Sequence, residues 1–319
     1  MLAGVSQEGY LVIRGLLSTE EVEAAKARLQ GTIDCWPHDA PPSVFNAERE
    51  SPGVPLVDID PSVLGGTLPT PRARELAVRR VFRLAVHDSH FTSLFSETKF
   101  TDLLATAWST EDISVLQSMA LLKPPGTGEK FFHADNAYFR LYPDNVGAYW
   151  IALDPVDHSN GAMHVVPKSH HGGVPPHLEN VSACNVEAAR RDAVAVPLSP
   201  GDALLFHGNL LHGTPPNVSV RRRRALQVHY ADSFCRPSDR RALEQTPTAA
   251  GSSSGSSSRW SRVVTSPNPV FGPQPTEDDG AGFDCAPTQE GDVCYEPQLW
   301  HFRSAELIAR GSAQGGRCL

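Results

Sequence analysis

The distribution of apolar residues changes character near residue 113. Before it, apolar positions recur at helical spacing. After it, they fall in short runs rich in strand formers, punctuated by glycine, proline and asparagine. Residues 9–17 predict a short strand leading into a turn. Ser18-Thr19-Glu20-Glu21 then reads as a capping box, with Leu17 stapled against Val22, and starts a helix that runs to about residue 30. Residues 32–70 carry many prolines and little periodicity, which predicts a long surface loop. A helix is expected over 72–87, with Leu76, Val81, Leu84 and Ala85 on one face, and one or two shorter helices over 91–108.

Short strands are then expected over 113–123, around His133, and over 147–153, 163–167, 192–198, 202–207 and 224–230. Lys123-Pro-Pro-Gly-Thr-Gly128 reads as a turn, and Asn160-Gly161 as a hairpin turn. Many short strands with this punctuation predict a mainly β chain with flanking helices, folded as a sandwich or jelly roll. These patterns divide the chain into three segments: 1–245 as the main domain, 246–266 as a flexible insert around Gly-Ser-Ser-Ser-Gly-Ser-Ser-Ser, and 267–319 as a lid or tail with a short helix at 304–309.

Composition narrows the class. Forty per cent of the 319 residues are hydrophobic, so the chain can bury a sizeable core. A net charge of -8 argues against a nucleic-acid or anionic-membrane binder. The six cysteines form no Cys-x-x-Cys, which excludes a zinc ribbon and a thioredoxin motif. With no basic leader, no apolar run of spanning length and no peroxisomal address in Gly-Gly-Arg-Cys-Leu319, a cytoplasmic protein is expected, and the sequons at Asn180 and Asn217 read as chance. Nothing in the sequence sets an oligomeric state.

The candidate chemistry centres on His133-x-Asp135. On an extended strand, residues i and i+2 share a face, so imidazole and carboxylate would project together. That pair supplies two ligands of a facial triad, which holds ferrous iron and leaves open coordination positions. A third ligand is available downstream in His207 or His212. Such sites commonly use 2-oxoglutarate, whose distal carboxylate needs a cation with a planar fork. Arg221 to Arg224 precede an apolar strand; alternation would put Arg221 and Arg223 on one face and turn Arg222 and Arg224 away. Thr214 is placed to add a hydroxyl.

Taken in order, Gln117-Ser-Met119, Lys123-Pro-Pro-Gly, Phe132-His133-Ala-Asp135-Asn-Ala-Tyr138, Tyr149-Trp150-Ile-Ala-Leu-Asp154, Asn160-Gly161 through His170, His212-Gly213-Thr214 with Asn217, and Arg223-Arg224-Ala225-Leu226 resemble the phytanoyl-CoA dioxygenase family. The likeness runs from about residue 7 to residue 232. It implies a double-stranded β-helix, or cupin-like barrel, and an enzyme that uses Fe(2+), 2-oxoglutarate and O2 to hydroxylate a small organic substrate, an acyl-CoA or other metabolite, with release of succinate and CO2. It implies His133, Asp135 and His212 as iron ligands, Arg223 as the 2-oxoglutarate anchor assisted by Thr214, and Trp150 and Met119 along the cosubstrate pocket. Related halogenases carry a small residue at the carboxylate position, so Asp135 points to hydroxylation. His164, His170, His207 and His229 read as structural histidines; Arg79, Arg80 and Arg83 could reach an anionic cosubstrate, but a solvated basic face is the favoured reading. The competing reading is a metal-binding jelly roll without turnover, a sensor or binding module. A serine hydrolase lacks its Gly-x-Ser-x-Gly elbow.

Overall fold

Strand β1 (Tyr10–Ile13) leads into the expected capping box. The Glu21 N–H donates to Ser18 Oγ at 3.2 Å and the Ser18 N–H to Glu21 Oε2 at 2.7 Å. Helix α1 (Thr19–Cys35) begins there, and its buried stripe is Val22, Ala25, Leu29 and Ile33. The structure is a computed structural model and describes residues 5, 7–35, 57–59, 70–110, 112–139, 141–172, 183–237 and 261–264.

The single helix expected over 72–87 is instead three elements: α2 (Pro71–Ala77), β3 (Val78–Phe82) and α3 (Leu84–His87). Val78, Val81 and Phe82 are branched or aromatic and suit a pleated, half-buried surface. Strand β3 pairs with β4 (Asp112–Lys123) on one side and with β2 (Val57–Ile59), which lies within the expected 32–70 loop, on the other. The three arginines here are not a solvated face. Arg79 bonds Thr127 Oγ1, Arg80 pairs with Asp58 at 2.6 Å, and Arg83 is buried. Two helices, α4 (Ser89–Phe95) and α5 (Thr98–Trp108), occupy the 91–108 region as expected.

From β4 onward the chain is β-rich: β5 (Lys130–His133), a helical turn α6 (Asn136–Phe139), β6 (Leu141–Tyr142), β7 (Val146–Ala152) and β8 (Met163–Val165). Helix α7 (Ala183–Asp192) precedes β9 (Val194–Val196), which is shorter than the strand expected over 192–198. Then come β10 (Ala203–His207), β11 (His212–Thr214), β12 (Arg223–Asp232), β13 (Arg236–Pro237) and β14 (Ser261–Val264). The larger sheet runs β1-β10-β7-β12-β4-β3-β2, with β14 beside β4; the smaller runs β5-β11-β8-β9. All these pairings are antiparallel, and the two sheets face each other as a jelly roll.

Alternation along the larger sheet sorts its side chains between two cores. Leu226, Val228 and Tyr230 of β12, with Tyr149 and Ile151 of β7, pack outward against Phe91, Phe95 and Phe100 of the helices. Two phenols close this layer, Tyr149 Oη donating to the Phe100 carbonyl at 2.8 Å and Tyr230 Oη to the Phe95 carbonyl at 2.7 Å. The inward face carries Trp150, Ala225, Leu204 and Phe206, which meet Met163, Val165 and Val196 of the β8–β9 region.

Asn160-Gly161 is not a hairpin turn, because β7 and β8 belong to different sheets. The chain crosses through a turn of 3-10 helix (His158–Asn160) capped by Asp157, and Gly161 leaves it at φ 84°. The Asn217 sequon is fully buried at its asparagine. The Gly-Ser-rich stretch, the helix expected at 304–309 and the Asn180 sequon lie outside the described residues. No helix among the described residues is long and apolar enough to cross a membrane.

Candidate metal and anion site

Strands β5 and β11 are hydrogen-bonded neighbours, and His212 stands directly opposite His133. Their rings lie 4.3 Å apart, centroid to centroid. A Cβ on Gly213 would meet the Lys130 carbonyl oxygen at 2.9 Å and the Phe132 nitrogen at 3.2 Å, so the two backbones approach this closely only with glycine there. Asp135 is not on the strand. Strand β5 ends at His133 and the chain turns, yet the carboxylate still converges: Asp135 Oδ1 lies 3.5 Å from His133 Nε2 and 3.5 Å from His212 Nε2. The three donor atoms all fall within 4.8 Å of one another, and no other such cluster of three is found among the described residues.

Each ligand is oriented from behind. His133 Nδ1 lies 2.8 Å from the Phe131 carbonyl and His212 Nδ1 2.9 Å from the Leu210 carbonyl. With Nδ1 held by a carbonyl, both imidazoles turn Nε2 toward the shared centre. Burial, then the facing His212, pushes His133 down to about 3, so it is neutral near pH 7. Burial alone would raise Asp135. The imidazoles of His212 and His229 outweigh it and hold the carboxyl well below the ordinary carboxylate range. Its second oxygen, Oδ2, accepts from His229 Nε2 at 2.8 Å and Gln227 Nε2 at 3.3 Å, leaving Oδ1 for the centre. Two imidazole nitrogens and one carboxylate oxygen gathered about one point are the donor set that suits ferrous iron.

A second group of side chains lies along the same inward face. Arg223 is 3% exposed; its Nη1 donates to the Gly161 carbonyl at 2.8 Å, and its guanidinium lies 4.9 Å from the Trp150 ring centre. Its Nε is buried with no hydrogen-bond partner among the described residues. The other three arginines of the run are turned to carboxylates: Arg221 to Asp157, Arg222 to Glu75 and Arg224 to Asp154. Arg221 lies before β12 and is exposed, so strand alternation governs the run only from Arg223 onward. Lys123 stands opposite Arg223 across the β4–β12 ladder, and its Nζ donates to Thr214 Oγ1 at 3.0 Å. Met119, Gln227 and Trp150 form one row across β4, β12 and β7.

The structure thus brings together His133, Asp135 and His212, and lines Arg223, Thr214, Trp150 and Met119 along the adjoining wall. His207 is elsewhere, accepting the Asn209 N–H at 3.0 Å. Sequence reasoning missed Lys123, Gln227 and His229 as site residues, and read His229 as structural. A signal existed for each. Lys123 is the one charged residue closing an otherwise apolar stretch, and Gln227 and His229 share the even step from Arg223 along the strand.

A jelly roll carrying this donor set belongs to a recognisable class, and comparison with known proteins places it. The model of the phytanoyl-CoA dioxygenase (PhyH) family matches residues 5–225. The chain belongs to that family. Phytanoyl-CoA dioxygenase 1 of Oryza sativa subsp. japonica is 25% identical over 249 residues, covering 70% of this chain and 85% of its own. Among solved structures, EctD from S. alaskensis with bound Fe superposes at a TM-score of 0.56 with 20% identity, over 73% of this chain and 75% of that one. The epimerase SnoN in complex with Fe3+, alpha ketoglutarate and nogalamycin RO gives 0.55 with 16% identity, over 81% and 92%.

Proposed function

We propose that the protein is an iron(II)- and 2-oxoglutarate-dependent dioxygenase that hydroxylates a C–H bond of a small organic substrate. The observation that carries this is the convergence of His133 Nε2, His212 Nε2 and Asp135 Oδ1 beside a buried arginine, Arg223, that pairs with no carboxylate among the described residues. Membership of a dioxygenase family supports it, as do solved structures of similar fold described with iron, with 2-oxoglutarate or with both. His133, Asp135 and His212 would hold iron(II), which when bound would supply O2-dependent oxidative decarboxylation of 2-oxoglutarate to succinate and carbon dioxide, the second oxygen atom going to the substrate.

The chain's own contribution is placement. His133 and His212 both turn Nε2 toward the centre, because a backbone carbonyl holds Nδ1 in each. Asp135 stays ionised and offers a single oxygen, because His229 and Gln227 occupy the other. That leaves the face opposite the three ligands for cosubstrate and oxygen. Arg223 offers its fork to the distal carboxylate, with Trp150 behind it and the Thr214 hydroxyl alongside. Ala148, Ala152 and Ala225 floor the inward face with apolar surface and help exclude water.

The test is anaerobic addition of iron(II) and 2-oxoglutarate to the purified protein. A weak metal-to-ligand charge-transfer band is expected, then succinate release when oxygen is admitted. Asp135→Ala is expected to lose both. A folded wild-type protein that shows no band under these conditions is not this kind of enzyme. A protein that binds iron but releases no succinate across a broad substrate panel would be a binding module.

A further inference from the structure

The reading of Arg223 as the cosubstrate anchor leaves a second buried cation beside it unexplained. Lys123 is 4% exposed at the end of β4. Its stem passes Gly161 so closely that a Cβ there would lie 2.9 Å from both Cδ and Cε, which confines the ammonium group to the Thr214 side. Arg223 faces it across the ladder and is held on the far side by the carbonyl of that same glycine. Among the described residues neither Lys123 nor Arg223 has a carboxylate within ion-pair distance, although Arg221, Arg222 and Arg224 each have one. Two adjacent buried cations without a counter-charge lose solvation and repel each other. Burial, then the charges of Arg223 and Arg79, push Lys123 down to about 7 against the opposing pull of Glu129. A ligand anion removes that cost.

We infer that Lys123 is a second cation for the distal carboxylate of the cosubstrate, and that it aims the Thr214 hydroxyl at the same carboxylate. The inference rests on the proposed 2-oxoglutarate chemistry. Thr214 Oγ1 already accepts a hydrogen from Lys123 Nζ. Its own hydrogen is therefore the one free to be donated, and it is donated to the anion. Lys123, Thr214 and Arg223 together make a corner that selects a doubly charged 2-oxo acid over a singly charged one.

Calorimetry under anaerobic conditions, on the full chain loaded with iron(II), tests this with 2-oxoglutarate and with 2-oxobutyrate, which keeps the keto-acid end and lacks the distal carboxylate. Lys123→Met, similar in length and uncharged, is expected to weaken 2-oxoglutarate roughly 10- to 100-fold and to leave 2-oxobutyrate unchanged. Equal 2-oxoglutarate affinity in a folded Lys123→Met protein overturns the inference and leaves the Arg223 reading standing. A wild-type protein that binds no 2-oxoglutarate overturns the Arg223 reading itself. The wild type provides a second measurement that needs no variant. Arg223 from β12, Arg79 from β3, Lys130 opposite Thr214, and Glu129 also face this corner, and the 2-oxobutyrate profile between about pH 6.5 and 8.5 controls for them. Binding requires Lys123 protonated, so 2-oxoglutarate affinity is expected to fall across that range while 2-oxobutyrate affinity stays level. Parallel profiles for the two acids also overturn the inference.

Discussion

A metal ligand is only as well placed as the group behind it. Here each has one: a carbonyl two residues back for His133 and for His212, and His229 with Gln227 for Asp135. His229→Leu is therefore expected to free the carboxylate and weaken iron(II) binding roughly 10- to 100-fold, read by competition with a chelator under anaerobic conditions. Unchanged affinity would reduce His229 to packing. The triad itself was legible because its letters sit in short strings, His-x-Asp and His-Gly-Thr. The supporting residues were not, because His229 meets Asp135 from 94 positions away. Only the pairing of strands brings the two together, and pairing is not written in either string. Lys123 shows the same limit: beside a Pro-Pro-Gly turn it reads as punctuation until β12 is laid against it.

Elements repeat that lesson at larger size. The β region was readable because its apolar runs are short and its turns well marked. The 72–87 segment misled because its apolar residues fit a helix and a strand almost equally. The free edge of β4 decided for the strand, and that edge lies far along the chain. Asn160-Gly161 has the letters of a tight hairpin, yet its neighbours enter different sheets, so the glycine serves instead to present a carbonyl to Arg223. The tight seam between β5 and β11 gives a prediction of its own. Gly213→Ala forces its methyl against the Lys130 carbonyl and pushes the two strands apart. It is expected to lower iron affinity at least ~10-fold by separating His133 from His212. Near-ultraviolet circular dichroism on the same sample would show whether the rest of the sandwich survives. If the affinity holds, the seam has more slack than its backbone distances allow.

For the whole molecule, buried histidines set how stability responds to acid: His133 of the triad, pushed down to about 3, and two outside it. Burial pushes His87 down to about 4, and does the same to His207. Their unfolded values lie near 6.5, so between about pH 6.5 and 4 the unfolded chain takes up protons that the folded one refuses. Stability must then fall as pH falls through that window, by up to about 1.4 kcal/mol per pH unit for each histidine. Thermal melts of the metal-free protein from pH 7.5 to about 4.5 are expected to show a steady decline, and His87→Leu is expected to make it shallower, with His207 and His133 still contributing. A melting temperature that holds level across the window would refute this. The order of strands has one more consequence, which concerns synthesis. Strand β12 is the last of the central strands to be made, since among the described residues only the short β13 and the edge strand β14 come after it, yet it lies between β7 and β4. Until residues 223–232 leave the ribosome, β4 and β7 each wait with an open edge, Asp135 lacks His229, and Lys123 lacks Arg223. A nascent chain halted before that point already carries all three metal ligands but neither the strand that closes the larger sheet nor the side chains that orient Asp135.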